Sequence, residues 1–79
     1  MVVFVGYIML VPYYNLPEGW LPCVGGTYAI NAFQPLFSLL GTRFGGDGIT
    51  TFAVPDLQEY CPTGMMYIVA YNGIFPSPS

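Results

Sequence analysis

A glycine-rich stretch in the middle of the chain, Gly45-Gly46-Asp47-Gly48, limits the fold more than any other feature. Glycines allow positive φ angles, and an aspartate in a turn accepts hydrogen bonds from backbone N–H groups about two residues further on. We therefore expect a tight reversal of the chain here, between a helical pattern and a strand pattern that ends at a proline. On this interpretation the stretch is a structural loop.

Glycine-rich loops also bind ligands. Three kinds of ligand site are alternatives to this structural interpretation, and each requires a different sequence pattern. A phosphate-binding loop needs a Lys followed by Ser or Thr after its glycines, and the chain has no Lys. A dinucleotide-binding loop follows a strand and precedes a helix, whereas the order here is reversed. Calcium binding at Asp47 stays open, although one carboxylate supplies few of the roughly six to eight oxygen ligands that calcium takes.

Apolar residues before the loop recur at helical spacing and predict one short helix over about residues 32–40. Asn31 is a candidate N-cap, and Pro35 would lie in the first turn, where its missing N–H costs little. Gly41 fits a left-handed residue that ends the helix. Residues at i, i+3, i+4 and i+7 share one helix face, and those expected in the core are Phe33, Leu36, Phe37 and Leu40.

Apolar patterns predict strands on both sides of this helix. Residues 3–10 are mostly apolar at both alternating positions, as in a strand covered on both faces, and Pro12 ends this strand or places it at an edge. Residues 50–52 and 65–71 are further strands, while residues 15–26 are rich in turn formers. Together they predict a small α+β fold of short strands and turns with one short helix, in a single domain over residues 1–79.

Charged side chains are too scarce to cover the surface of a free domain of this size. Hydrophobic residues make up 54% of the 79 residues and charged residues 6%, against about 25% charged residues in typical soluble domains. Large exposed apolar patches usually mark interfaces, so we expect a homo-oligomer or polymer joined by open strand edges and aromatic side chains. The expected assembly residues are Val3, Val5, Tyr7, Tyr13, Tyr14, Trp20, Ile74 and Phe75.

The same composition argues against several classes of function. Arg43 is the only basic residue, so the chain lacks the positive charge for binding nucleic acid or an anionic membrane. Its apolar start lacks the features of a signal peptide, and Pro12 interrupts it long before the roughly 20 residues of a membrane span. Without histidine there is no such base for a Ser or Cys nucleophile and no typical metal site. We predict no catalytic, cofactor or metal site.

Two cysteines, Cys23 and Cys61, leave two interpretations open. They form a candidate disulfide, within one chain or between chains, which would stabilise a small extracellular domain. Alternatively, they are two buried thiols that act as small hydrophobic side chains. The spacing of the two residues does not decide between these interpretations.

Three blocks of the sequence resemble the phage tail collar domain, also called the microcystin-dependent protein family. The blocks are GWLPCVGG, LFSLLGTRFGGDGITTFAVPDL and GIFPS, in that order, and the resemblance covers about residues 6–77. The central block is long and contains most of the helix pattern together with the glycine loop. The resemblance implies a non-enzymatic structural or adhesive module of tail fibres and related extracellular fibres, often built as intertwined trimers.

The chain departs from the family pattern at three places. Larger members carry a receptor-binding region between the Pro-Asp-Leu segment and the final strand, where this chain has only residues 58–66. Val24 stands where the family usually has an acidic residue, and Gln58-Glu59-Tyr60 replaces its usual arginines. The histidines that bind metal in some larger members have no counterpart. The chain thus resembles a reduced collar core whose charged rim has become apolar and aromatic.

These observations lead to four hypotheses. The first is a structural subunit of a phage-tail-like or extracellular fibre that assembles with itself, with a trimer as one candidate unit. The second is a trimeric tail-fibre tip module that contacts a host receptor, a surface glycan or other tail-fibre proteins. The third is a sugar-binding module that uses aromatics such as Tyr13, Tyr14 and Tyr28. The fourth and least favoured is a small hydrolase with paired carboxylates. A virion tail or an extracellular fibre is the expected location.

Overall fold

The fold of this computed structural model is α+β, as the sequence predicts, and the structure describes residues 3–12 and 16–75. Its strands are β1 (Ile8–Pro12), β2 (Trp20–Pro22), β3 (Thr27–Ala29), β4 (Thr51–Ala53) and β5 (Met65–Ala70). The helix α1 spans Gln34–Leu40, and short 3-10 turns span Ile30–Ala32 and Gln58–Tyr60. Strands β1, β5 and β2 form one antiparallel sheet in that order, and β3 pairs with β4 in a second. Within the described residues, no helix is long and apolar enough to cross a membrane.

The central strand β5 is covered on both faces. Its neighbouring residues Ile68 and Val69 are both fully buried, yet they belong to different hydrophobic clusters. Successive side chains of a strand point to opposite faces of the sheet. The uninterrupted apolar run of β5 is therefore explained by a cluster of core residues on each side of the sheet.

The helix covers one of these two faces. Leu36 is fully buried, and the other three predicted core residues, Phe33, Phe37 and Leu40, pack against the same cluster while partly exposed. The ring of Phe37 meets that of Phe52 edge-on, with 5.7 Å between centroids. Phe33 meets Tyr71 at 4.9 Å in the same way. The predicted helix stripe thus lies against the core, with Leu36 inside it.

The start of the helix differs from the prediction. Residue Asn31 lies in the 3-10 turn, and Phe33 takes the N-cap position without any side-chain capping bond. Capping by Asn31 would place Pro35 where the first intrahelical N–H is required, and proline has none. Beginning at Gln34 puts Pro35 within the first turn, where the missing N–H is harmless. At the other end Gly41 has the predicted positive φ, 59°.

The first strand begins later than predicted because a turn precedes it. Tyr7 N–H donates to Phe4 O at 3.1 Å, and Gly6 between them has φ 89°, as glycine has in a type II turn. Beyond the turn, Gly6 N–H donates to Ala70 O at 2.8 Å and Ala70 N–H donates to Tyr7 O at 2.9 Å. Two residues opposite one make a β-bulge, which starts the pairing of β1 with β5.

Two short strands lie where the sequence shows mainly turn formers. β2 pairs with β5, and the chain beyond it continues through Cys23, whose N–H donates to Tyr67 O at 2.9 Å. β3 pairs with β4, residue Tyr28 opposite Phe52. Each strand has three residues and exists because of a distant partner, so local periodicity does not reveal it.

Candidate assembly surface

The Asp47 side chain in the glycine loop bonds to donors of the loop itself and of the residues that follow it. The Asp47 Oδ1 atom accepts the backbone N–H groups of Ile49, Thr50 and Thr51 at 2.8, 2.8 and 2.9 Å, and Oδ2 accepts the Thr50 hydroxyl at 2.9 Å. In return, Thr51 Oγ1 accepts the Asp47 N–H at 3.1 Å. The bond from Ile49 N–H is the one expected two residues on, and the structure adds bonds from the next two residues.

These hydrogen bonds stabilise the ionised carboxylate. The bond from Thr51 N–H contributes most, followed by those from Ile49 and Thr50, and together they hold the pKa of Asp47 well below its usual range. Both oxygens are occupied by donors of the loop itself. Among the described residues, no group of three or more His, Cys, Asp or Glu side chains could hold a metal ion. The geometry favours the structural interpretation of the loop.

Gly46 explains why the loop requires glycine. Its φ is 91°, and a Cβ atom added there would overlap the Cα of Phe52 and lie 2.6 Å from Thr51 O. Gly45 and Gly48 also have positive φ, at 130° and 75°. Gly45 O accepts the Ala53 N–H at 3.1 Å, so the loop lies directly against β4. The chain reversal thus depends on a backbone-to-backbone approach that any side chain would prevent.

A different surface carries exposed apolar side chains. The N-terminal segment and the segment after β5 run side by side, because Val5 N–H donates to Ile74 O and Ile74 N–H donates to Val3 O, both at 2.9 Å. We call the exposed apolar side chains of these segments and of β1 the terminal patch: Phe4, Tyr7, Ile8, Leu10, Ile74 and Phe75. Each is at least 36% exposed. Exposed apolar patches of this kind usually mark interaction sites.

The terminal patch includes a sheet edge. Within the described residues β1 pairs only with β5, so its other side is open. Tyr7 is bonded to β5 through Ala70, and in an antiparallel ladder the direction of the backbone groups alternates. The N–H and C=O of Ile8 and Leu10 therefore point outward. Pro12 is the next residue in this alternation whose backbone faces away from β5. Its missing N–H therefore removes no bond to β5.

No charge protects this edge. Residues 1–17 and 60–79 contain no Asp, Glu, Lys or Arg. Natural proteins commonly block a free sheet edge with lysines, other charges or a covering segment. β1 itself carries no charge, and in the described residues no strand other than β5 pairs with it, which leaves its outer edge open to pairing with another strand.

The predicted assembly residues divide into four groups. Tyr7, Ile74 and Phe75 lie in the terminal patch, and Val3 is partly buried against the second core cluster. Val5 and Trp20 are instead core residues, 4% and 8% exposed, so their side chains are not available at the surface. Trp20 lies in β2, which pairs with β5, and Val5 precedes β1 and bonds to Ile74 beyond β5. Tyr13 and Tyr14 lie outside the described residues.

Tyr28, one of the aromatic residues considered for contact with a sugar, packs against the core while partly exposed. Tyr28 meets Phe33 edge-on at 5.5 Å and lies 6.4 Å from Phe52. Burial raises the pKa of its hydroxyl, with a smaller contribution from nearby Cys23. Its ring therefore packs within the subunit, whereas Tyr60, which sequence reasoning did not select, is 66% exposed.

A groove of about 490 Å³ lies between the end of β2 and the start of β5. Its lining is largely apolar and includes Leu16, Val24, Met65 and Tyr67. Cys23 and Cys61 line the same groove, and both are free thiols. The candidate intrachain disulfide is thus not formed in this structure, although the fold brings the two cysteines to one site.

Comparison with protein families gives one match. The family model described as Phage Tail Collar Domain matches residues 6–62, which contain β1 to β4, α1, the glycine loop and both cysteines. The match ends before β5, so the resemblance of the final GIFPS block lies outside it. No individual curated protein matches the chain.

Proposed function

We propose, from the premise that the chain belongs to the phage tail collar domain family, that it is a self-assembling structural subunit of a phage-tail-like or extracellular fibre. Membership of this family indicates a structural role in a phage tail fibre, since the collar domain is a structural domain and not an enzyme family. The finer part of the proposal is that copies of this chain join through the terminal patch and the open edge of β1.

The observation that carries this proposal is the uncharged edge of β1 within an exposed apolar surface. A strand from a second copy would satisfy the outward N–H and C=O groups of Ile8 and Leu10, and its side chains would cover the terminal patch. Such pairing removes apolar surface from water at about 25 cal/mol per Å². Backbone hydrogen bonds add specificity, because a sheet edge accepts only an extended partner.

A fibre requires a second contact surface on each subunit. An isologous contact alone closes a pair of copies, whereas contact between two different surfaces can continue indefinitely. Val24, 40% exposed, lines the groove, and Tyr60, 66% exposed, directly precedes Cys61 of that lining, so both offer apolar area outside β1 itself. We propose this groove rim as the second surface, so that growth does not stop at a dimer.

Sedimentation velocity of the full chain at neutral pH tests the proposal, with negative-stain microscopy of the same samples. The wild-type chain should sediment as oligomers or filaments at micromolar concentration. Ile8→Lys, which places a charge on the open edge, should shift the population to monomer while leaving the circular dichroism spectrum unchanged. Ile49→Lys is the matched control, since Ile49 is 83% exposed but lies in the glycine loop. A monomeric wild-type chain, or an Ile8→Lys variant that assembles normally, would refute it.

A trimeric tip module that contacts a surface glycan is the second candidate function. Phe4, Tyr7 and Tyr60 are exposed aromatic rings, 54%, 52% and 66% exposed, and such rings stack on sugars. Binding to a glycan array separates the two functions. Saturable glycan binding by a discrete trimer that forms no longer assembly would favour the tip module over the fibre subunit.

A further inference from the structure

We propose that Cys23 and Cys61 are a reactive dithiol pair that closes to an intramolecular disulfide across the groove, by exchange with a small-molecule disulfide. Both residues line this groove as free thiols. Cys23 follows β2 directly, and Cys61 follows the 3-10 turn Gln58–Tyr60. The proposed pair is a modification site within one chain. It shares the groove with the proposed second assembly surface, but it rests on contacts inside a single subunit.

Leu57 holds the two cysteines next to each other. The Leu57 N–H donates to Cys23 O at 2.9 Å, and the Cys61 thiol donates to Leu57 O at 3.3 Å. One residue therefore contacts both members of the pair. Closing the disulfide requires the Cys61 side chain to leave Leu57 O and rotate toward Cys23.

The segment that carries Cys61 can move without disturbing either sheet. The 3-10 turn is exposed and is held by local bonds: Gln58 N–H to Asp56 Oδ1 at 3.1 Å, Tyr60 N–H to Leu57 O at 3.0 Å and Cys61 N–H to Gln58 O at 3.2 Å. None of these bonds belongs to a ladder. A shift of this turn can therefore carry Cys61 toward Cys23 without breaking a ladder bond.

The two thiols differ in access, which sets the order of reaction. Cys23 is 1% exposed, and burial raises the pKa of its thiol to about 11, with a further contribution from Cys61. Cys61 is partly exposed. Because the thiolate is the attacking species, the more accessible Cys61 meets an external disulfide first.

The exchange then proceeds in two balanced steps. The Cys61 thiolate attacks one sulfur of the small disulfide, forming a mixed disulfide and releasing the first small thiol. The Cys23 thiolate next attacks Cys61 Sγ, forming the Cys23–Cys61 bond and releasing the second small thiol. Two protein thiols are oxidised, one small disulfide is reduced, and the two protein protons end on the two released thiols.

Oxidised glutathione and the full chain test this sequence, followed by intact-mass spectrometry. The wild-type chain should pass through a single glutathione adduct and end two hydrogens lighter than the reduced chain. The second step should accelerate about tenfold per pH unit between pH 7 and 9, because the thiolate fraction of Cys23 grows at that rate below its pKa. Non-reducing gels should show a monomer band.

Matched single variants separate the roles of the two cysteines. Cys23→Ala should stop at the single adduct, and Cys61→Ser should form almost none, since Cys23 is buried. A wild-type chain that stops at the adduct, takes two adducts or gives only disulfide-linked dimers would overturn the proposal. If Cys23→Ala fails to fold, the wild-type time course at two pH values still tests the proposal, because the second step must accelerate at the higher pH. Neither mass readout reports on fibre assembly, so failure here leaves the proposed function untouched.

Discussion

The glycine loop and the terminal patch differ in whether their polar groups already have hydrogen-bond partners within the protein. Asp47 in the loop directs both carboxylate oxygens to donors of the loop itself. In the terminal patch, Ile8 and Leu10 present open backbone groups beside exposed apolar side chains. The loop is the more conspicuous feature of the sequence, yet its carboxylate already accepts hydrogen bonds. The surface with an open strand edge, among the residues that the structure describes, is the less conspicuous one.

This difference separates a residue pattern that specifies the fold from a surface that is available for function. A satisfied carboxylate gains little from a ligand, because each new bond would replace an existing one. An uncharged sheet edge gains from pairing, because its outward N–H and C=O groups then bond to protein and the apolar side chains leave water. Four experiments, taken from the largest expected effect to the smallest, test the contrast.

Gly46→Ala should produce the largest effect, loss of most of the folded state. The new Cβ would overlap the backbone of Phe52, and φ 91° is unfavourable for any other residue. We expect a loss of about 3 kcal/mol or more of the free energy of unfolding, measured by urea denaturation followed by circular dichroism. Gly64→Ala is the matched control, since Gly64 also has positive φ, 81°, but its Cβ would meet nothing within 4 Å. Equal losses for the two variants would show that the close approach does not matter.

Leu10→Pro should weaken assembly about tenfold with a smaller effect on folding. The substitution removes an outward N–H, and one hydrogen bond is worth about 1 kcal/mol, close to the 1.4 kcal/mol of a tenfold change. Sedimentation equilibrium gives the association constant, and thermal unfolding gives the stability. Leu10→Ala keeps the N–H and removes only side-chain area. If the Ala variant dissociates as strongly as the Pro variant, side chains and not edge pairing hold the assembly together.

Acid should destabilise the loop in a way that depends on Asp47. Because the folded pKa of Asp47 is lowered by its hydrogen bonds, its contribution is present above the ordinary aspartate pKa of about 3.9 and is lost as the pH falls below it. Thermal unfolding between pH 6 and pH 2.5 should show a declining midpoint for the wild type and a shallower decline for Asp47→Asn. At pH 7 the Asn variant should be only mildly less stable, since its Oδ1 still accepts backbone N–H groups. Parallel pH profiles would contradict this assignment.

Calcium should have the smallest effect, close to none. Both oxygens of Asp47 already accept hydrogen bonds from the loop, and a single carboxylate is a poor ligand set for calcium. The midpoint of thermal unfolding in millimolar calcium chloride and in EDTA should therefore agree within error. A midpoint that rises with calcium in the wild type, but not in Asp47→Asn, would make the loop a cation site after all.

Local patterns allowed part of this fold to be predicted. The helix stripe with Leu36 at its centre and the positive φ of Gly46 depend on spacing and backbone conformation within a few residues. Asn31 misled the prediction because a preferred capping residue does not act where a proline shifts the start of the helix. The strands β2 and β3 were missed since each consists of three residues ordered by a distant partner.

The sequence predicts that apolar surface is exposed better than it predicts which residues form that surface. Scarce charge indicates that apolar area must remain exposed, and Tyr7, Ile74 and Phe75 among the predicted candidates are exposed. Val5 and Trp20 could not be separated from Tyr7 by sequence, because every one of them is apolar and lies in an apolar neighbourhood. Only strand pairing decides which side chain faces the core, since a shift of one residue moves it to the other face.

The sequence by itself determined that the chain reverses at Gly46, that a short helix precedes the reversal and that apolar surface must remain. These properties depend on steric limits and composition, which act within a few residues or on the chain as a whole. The tertiary structure decided that β5 lies between β1 and β2, that the edge of β1 stays open and that Cys23 and Cys61 share one groove. Those outcomes require contacts between residues far apart in the chain, and such contacts depend on the packing of the whole molecule.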